Sequence, residues 1–329
     1  MKNPLVTIGI VSCNRFYYLK ALVGSAYECI LYGNLEWIIV DNASIEPGLR
    51  EYLEQLDFVQ HKIFRPERSP STEHVKAMNK IIESSNAEYV MILPEDIQFI
   101  VRGEWMKDFV ELVETHKHIG TVVFDAQRRV TVNKYFASKR SIFPFRRSRP
   151  FSLYMTSSGR EFLGYGNSKP GISGAGIMTF GRKEIWQRLG PWRATGRQTV
   201  ADSSGGGETD MLHRYERSGL KLERCLVRIP IAADIITDPI GTKARIRGNR
   251  HYGKYFAPPS GKFYYRIWDE SELHRFGDIQ PAAAFEDIVE PIGFDLPYDN
   301  QGNLLKNPHR SEDAEFEWIH PSVAGVDIR

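Results

Sequence analysis

Two pairs of carboxylates are the first residues whose types and spacing could do chemistry. Glu95 and Asp96 follow Pro94 at the end of the apolar run Tyr89 to Leu93. A carboxylate there suits a hard divalent cation that keeps some water and takes its other ligands from substrate phosphates. Asp96 as the cap of a following turn fits the same pattern. Glu208 and Asp210 follow Gly205, Gly206 and Gly207 and open a segment carrying Arg214. A catalytic base and a helix-start acid favoured by the helix dipole are both consistent with that placement. Further polar residues stand where strands should end: Ser12, Asn14 and Arg15 after Val6 to Val11, and Asp41 after Trp37 to Val40.

The elements that must position these residues read as alternating strands and helices. The β-branched run Val6 to Val11 predicts a buried strand, and Leu19, Leu22, Val23 and Ala26 recur at helical spacing. Trp37 to Val40 predicts a second strand. Pro47 is expected to open a helix whose apolar face is Leu49, Tyr52, Leu53 and Leu56. Strands over Val59 to Phe64, Tyr89 to Leu93 and Thr121 to Phe124 alternate with helices over Glu73 to Ser84 and around Met106, Phe109, Val110 and Val113. Such alternation implies right-handed crossovers and a mostly parallel sheet, with ligands bound at the carboxyl ends of its strands. Beyond residue 125 the pattern loosens. Gly171 to Phe180 and Leu220 to Ile229 read as strands, Arg182 to Leu189 and Glu208 to Ser218 as helices, and the three glycines as a hinge.

Composition excludes several classes. The chain of 329 residues is 42% hydrophobic and 26% charged, which is globular composition. No apolar run approaches the roughly 20 residues of a membrane span, and no signal-peptide pattern opens the sequence, so a cytoplasmic location is expected, with the inner face of the membrane as a variant of it. Cys13, Cys29 and Cys225 have spacings that suit neither a disulfide framework nor a zinc knuckle. There is no P-loop, no G-x-G-x-x-G after the first strand and no H-E-x-x-H pair. Near-neutral charge argues against a nucleic-acid partner. The net +2 conceals a split, because residues 269–329 hold fourteen acids against four bases, leaving the first 268 residues at +12.

An enzyme that moves a sugar from a nucleotide diphosphate needs a cation for the departing diphosphate and a base for the acceptor hydroxyl. VTIGIVSCNR, WIIVDNAS, the helix carrying Asn79, YVMILPED, SGAG and GGGETDMLHRYERSG occur in that order, and together the sequence resembles the inverting family 2 glycosyltransferases of the GT-A fold over roughly residues 4–256. The resemblance implies an α/β, Rossmann-like, mostly parallel sheet flanked by helices, with an acceptor-side subregion and a C-terminal extension. It divides the chain into 1–125 as nucleotide-sugar-binding half, 126–268 as acceptor and catalytic-base half, and 269–329 as acidic extension. By the same resemblance, Ser12, Asn14 and Arg15 lie at the nucleotide pocket and Asp41 hydrogen-bonds the base. Glu95 is placed near the ribose or metal, Asp96 on Mg²⁺ or Mn²⁺, Glu208 as the base and Asp210 as its neighbouring acid. The donor would be UDP-, GDP- or dTDP-linked, and the acceptor a glycan or glycoconjugate, as in polysaccharide biosynthesis.

The sequence also departs from the family pattern. Pro94 stands where the family often has a first aspartate, and Arg65 to His74 lacks the glycine usual before the Asn79 helix. Thr237, Asp238 and Pro239 stand near the place of a metal-binding histidine, so Asp238 is a candidate oxygen ligand and His251 a second candidate. Trp192 reads either as an acceptor platform or as a packed aromatic. Lys139 to Phe151 carries five bases and three phenylalanines, which suits a peripheral membrane or anionic-acceptor contact as well as a solvated loop. The acidic extension could join copies in a homo-oligomer. Two rival functions are a sugar-1-phosphate nucleotidyltransferase, for which SCNRFYY is a poor loop, and a sugar-nucleotide-binding protein without transferase activity.

Overall fold

A computed structural model describes residues 3–124, 152–165, 179–194, 207–227, 231–234 and 263–275. The first unit runs β1 (Val6–Ser12), α1 (Phe16–Cys29), β2 (Leu35–Asp41), α2 (Leu49–Glu54), β3 (His61–Phe64), α3 (Pro70–Ser84) and β4 (Tyr89–Pro94). Then follow β5 (Ile97–Phe99), β6 (Val101–Arg102), α4 (Trp105–Thr115), β7 (Ile119–Val123), β8 (Ser152–Met155), β9 (Glu161–Tyr165) and β10 (Thr179–Arg182). The remainder is α5 (Lys183–Leu189), α6 (Gly207–Arg217), β11 (Glu223–Val227), β12 (Ala232–Asp234), β13 (Trp268–Asp269) and a 3-10 helix Glu270–Arg275.

Nine strands form one sheet in the order β3-β2-β1-β4-β10-β7-β11-β9-β8. The half from β3 to β4 is parallel throughout. β10 then enters antiparallel between β4 and β7, and beyond it β7 and β11 are parallel while β9 and β8 are antiparallel. The fold is therefore the expected α/β sheet, parallel from β3 to β4 and mixed beyond β4. Every residue of β1 is buried, which explains its unbroken apolar run: a strand covered on both faces has no solvent side to alternate with.

Two boundaries differ from expectation for a physical reason. α2 starts at Leu49 after Gly48, whose φ of 79° makes the turn, so Pro47 lies before the helix and does not open it. α3 begins at Pro70, with proline in the first turn where its missing N–H costs nothing, three residues earlier than the apolar spacing alone indicates. The strand expected to begin at Gly171 is seen as β10 from Thr179, since 166–178 lie outside the described residues.

One core joins the halves. Phe109 of α4 packs against Trp105, Phe124, Phe162 and Phe180 at ring-centroid distances of 5.2–6.1 Å, and Phe180 stacks on Tyr89 at 5.5 Å. α4, β4, β9 and β10 thus share one aromatic cluster. The C-terminal described segment closes onto the same body: β13 pairs with β6, and Glu270 accepts the Glu104 N–H and meets Arg160. The boundary expected at residue 269 falls inside β13. Among the described residues no helix is long and apolar enough to cross a membrane, and no disulfide joins the cysteines.

At the amino ends of β1 and β2, Glu36 accepts hydrogen bonds from Thr7 Oγ1 (2.6 Å), Asn86 N (3.0 Å) and Asn86 Nδ2 (2.7 Å). Burial alone would push its carboxyl up, but these bonds and nearby His61 hold it below the usual range. A depressed carboxyl contributes stability above its unfolded pKa and loses it as pH falls. Glu36→Ala should cost about 2–3 kcal/mol at neutral pH, because Thr7 and Asn86 lose their acceptor. In urea unfolding the deficit should shrink as pH falls below the ordinary glutamate range and the wild-type carboxylate takes up its proton; a deficit independent of pH would refute this account.

α6 rests on α3 through a bare contact. A Cβ on Gly207 would lie 2.0 Å from Val75 Cγ1. Gly207→Ala should therefore lower stability by about 1–3 kcal/mol, outweighing a helix-propensity gain of at most about 1 kcal/mol. Val75→Ala in the same chain should recover part of that loss, and strictly additive effects in the double-mutant cycle would show that the contact is not the cause.

Candidate functional site

The carboxyl ends of β1, β2 and β4 open on the same side of the sheet, and the chain leaves β1 through two consecutive left-handed residues, Asn14 (φ 57°) and Arg15 (φ 55°). Left-handed backbone is unusual for residues with a Cβ and persists where surrounding contacts hold it. Here Asn14 N donates to Ser44 Oγ (2.7 Å), Asn14 Oδ1 accepts from Ile45 N (2.9 Å), and Glu46 caps α1 by accepting from Phe16 N (2.8 Å). The loops after β1 and β2 are thereby locked together.

This turn sends the Arg15 guanidinium across to the end of β4, because β1 and β4 are in register up to Val11 opposite Pro94. Arg15 Nη1 lies 2.9 Å from Asp96 Oδ2 and 3.5 Å from Glu95 Oε1, with the three side chains only 12–19% exposed. Burial opposes the charge on Arg15, and the two carboxylates outweigh it and keep the guanidinium firmly protonated. Burial also pushes the Glu95 carboxyl up to about 7; Asp96 adds to this, while Arg15 and His74 oppose it. Two acids facing one half-buried cation form a region short of positive charge.

Asp41 is 4% exposed and already well served. Its Oδ1 accepts from Ser12 Oγ (3.2 Å) and Ser44 Oγ (2.5 Å), and its Oδ2 from Ser44 N (2.9 Å). Burial raises its carboxyl above the usual range against those hydrogen bonds and the charge of Arg68. Arg68 and Glu73 form a buried two-pronged ion pair at the start of α3, the segment where the family glycine is missing. Strand-end reasoning singled out Ser12, Asn14, Arg15, Asp41, Glu95 and Asp96, and all six converge here. It missed Ser44, Arg65, Arg68 and His74; the rule applied to the end of β3 would have found Arg65.

Glu208 stands in the first turn of α6, next to Gly207. Gly207 contacts Val75, whose neighbour His74 acts on Glu95, so the start of α6 lies along the same stretch of α3 as the acidic cluster. Asp210 is held by Arg214 through Nε and Nη2, both 2.8 Å, and Arg214 also donates to the carbonyls of Leu189, Gly190 (3.2 Å) and Pro191 (2.7 Å). Trp192 is a packed aromatic: it is 3% exposed, lies 5.3 Å from Trp186, and is clamped by Asn79 through Trp192 N to Oδ1 (2.8 Å) and Nδ2 to Trp192 O (3.0 Å). Asp238, His251 and Lys139 to Phe151 lie outside the described residues. Among the described residues no three His, Cys, Asp or Glu side chains form a group that could hold a metal.

The uncharacterized protein y4gI of Sinorhizobium fredii is 29% identical over 113 residues, spanning 34% of this chain and 12% of that protein. Among solved structures, residues 1–349 of S. aureus TarS in complex with UDP align with a TM-score of 0.45 and 10% identity, over 74% of this chain and 64% of that one. The mannosyltransferase PcManGT from Pyrobaculum calidifontis, in complex with GDP-Man and Mn²⁺, aligns with a TM-score of 0.47 and 16% identity, over 76% of this chain and 62% of that one. The chain thus spans less than two thirds of the length of each of these proteins. The family described as Glycosyl transferase family 2 matches residues 7–175, just over half of the sequence. The chain, with its strand-end cluster at the mouth of an α/β sheet, belongs to glycosyl transferase family 2.

Proposed function

We propose that the chain transfers a sugar from a nucleotide diphosphate donor to a hydroxyl of a glycan or glycoconjugate, with inversion at the anomeric carbon. The observation that carries this reading is the half-buried, ion-paired cluster of Arg15, Glu95 and Asp96 at the ends of β1 and β4 in a family 2 chain. Ser12, Asn14, Arg15 and Asp41 form the nucleotide side, and Glu95 faces the ribose. Arg15, kept protonated by its two carboxylates, is a fixed cation beside the diphosphate and needs no reorganisation as charge develops there.

Two carboxylates share a single guanidinium, and their oxygens are of the type that Mg²⁺ or Mn²⁺ takes, with the remaining ligands to come from the donor phosphates and water. Asp96 would hold the ion, with Asp238 as a further oxygen ligand. When bound, the ion supplies charge neutralisation on the departing diphosphate.

Glu208 takes the proton from the acceptor hydroxyl while that oxygen forms its bond to the anomeric carbon. The bond from this carbon to the diphosphate oxygen breaks on the opposite face, and the nucleoside diphosphate leaves with the electron pair. The closeness of the α6 start to His74 and the acidic cluster supports this assignment. Asp210, engaged by Arg214, is a positioning residue that ties α6 to the loop after α5.

Glu208→Gln should leave donor binding nearly intact and slow transfer by about 10²–10⁴-fold, the usual worth of a general base; near-normal turnover would remove Glu208 from that role. Asp96→Asn should lower donor affinity measured with Mn²⁺ to the value seen in EDTA. Wild-type affinity unchanged by EDTA would sink the cation assignment. A panel of UDP-, GDP- and dTDP-sugars assayed for transfer and slow hydrolysis identifies the donor, and turnover of none would favour a sugar-nucleotide-binding protein.

A further inference from the structure

The end of α1 presents an apolar surface that lies away from the cluster of Arg15, Glu95 and Asp96. Tyr27 is 61% exposed, and Leu31, just past the helix, is 43% exposed. Both line a groove of about 440 Å³, together with Tyr52 of α2, Leu56 and Phe58. Its wall is anchored to the core, because the Tyr27 and Phe58 rings lie 4.4 Å apart and Phe58 lies 5.2 Å from buried Trp37. α1 and α2 each connect parallel neighbouring strands, so both run back toward the amino ends of the sheet, and the groove lies at the end opposite the candidate site. Exposed apolar residues scattered singly need no explanation; gathered around a fixed groove they mark an interaction surface.

The rim of the groove points to what covers it. Arg102 lines the groove and also stands opposite Asp269 in the β6–β13 pair. The 3-10 helix Glu270–Arg275 follows directly, so residues 276–329 set out beside that rim. Between 285 and 298 the sequence has seven large apolar residues, among them Phe285, Ile288, Ile292 and Phe294, with four acids and no base. Such a segment matches an apolar groove with Arg102 on its rim and Lys20 beside Tyr52, the Lys20 Nζ being 5.8 Å from the Tyr52 ring centre; Glu28 is an acid in the same wall. Residues 276–284 can span about 30 Å when extended, and a tether that short sets an effective concentration on the order of millimolar.

We propose that residues 285–298 dock in the groove between α1 and α2 of their own chain. The apolar side chains of the segment cover Tyr27 and Leu31, and its acids meet Arg102 and Lys20. This intramolecular contact is independent of the sugar-transfer reading and extends the β6–β13 junction along the same flank of the molecule.

Limited chymotrypsin digestion of the full chain, followed by mass spectrometry, tests it at Phe285, Phe294 and Tyr298. Leu31→Glu, at an exposed position, should speed cleavage at these three sites about tenfold or more, since cleavage of a docked segment follows the fraction undocked. Cleavage at equal rates in the wild type and folded Leu31→Glu overturns the proposal. If Leu31→Glu does not fold, as judged by thermal unfolding, Phe294→Asp decides from the other side: amide hydrogen exchange over residues 27–31 should quicken in that variant, and unchanged exchange overturns the docking. Protection in the wild type should not depend on protein concentration. Protection that fades on dilution shows that a second copy supplies the segment, and overturns docking within one chain.

Discussion

Helix α3 can lie close against the sheet because residue 9 has no side chain. A Cβ on Gly9 would stand 2.3 Å from Ile81 Cγ2. Four features of the site hang from that one close approach. The first turn of α3 carries Glu73, which grips Arg68; the next residue, His74, acts on Glu95; Val75 seats α6; and Asn79 clamps the loop at Trp192. A helix displaced outward by a side chain at position 9 would move the anchor of every one of these groups at once.

Electrostatics and backbone geometry reinforce each other at the mouth of the sheet. Two left-handed residues in succession are an unfavourable way to leave a strand, yet they direct Arg15 across β1 onto the end of β4. Burying a guanidinium and two carboxylates is costly unless they meet. The loop that strains the backbone therefore also brings together the charges that need one another, and the hydrogen bonds from Ser44, Ile45 and Glu46 hold it in place. The arrangement is preorganised, which is what an electrostatic site requires if nothing is to reorient while charge moves.

How far the sequence was legible follows from the length and burial of each element. β1, β2 and β4 read clearly because strands buried on both faces are continuous apolar runs closed by polar residues, and those polar residues meet at one end of the sheet. β5, β6, β12 and β13 are two or three residues long, too short for any periodicity to show. The β8–β9 hairpin was missed because Leu153, Tyr154 and Met155 give no apolar-polar alternation, and Leu153 and Met155 are in fact exposed. Tyr27 and Phe58 could not be paired from sequence, since their contact depends on how α1 and the chain before β3 lie side by side and not on any spacing along the chain. Asp210 and Arg214 are the opposite case: four residues apart on a helix, they had to meet.

The junction of β13 with β6 sets an order of events for the growing chain. Glu270 must find Glu104 across 166 positions, and Tyr265 finds Gln98 across 167. Contacts that distant close a loop whose entropy is lost before any reward, and they form late. A ribosome that has delivered the parallel half has released strands able to pair among themselves, while the amide of Glu104 still waits for a carboxylate not yet synthesised and Arg160 has Asp108 alone. The clasp is thus a completion step: until it closes, the β6 edge stays open to any other strand that arrives first.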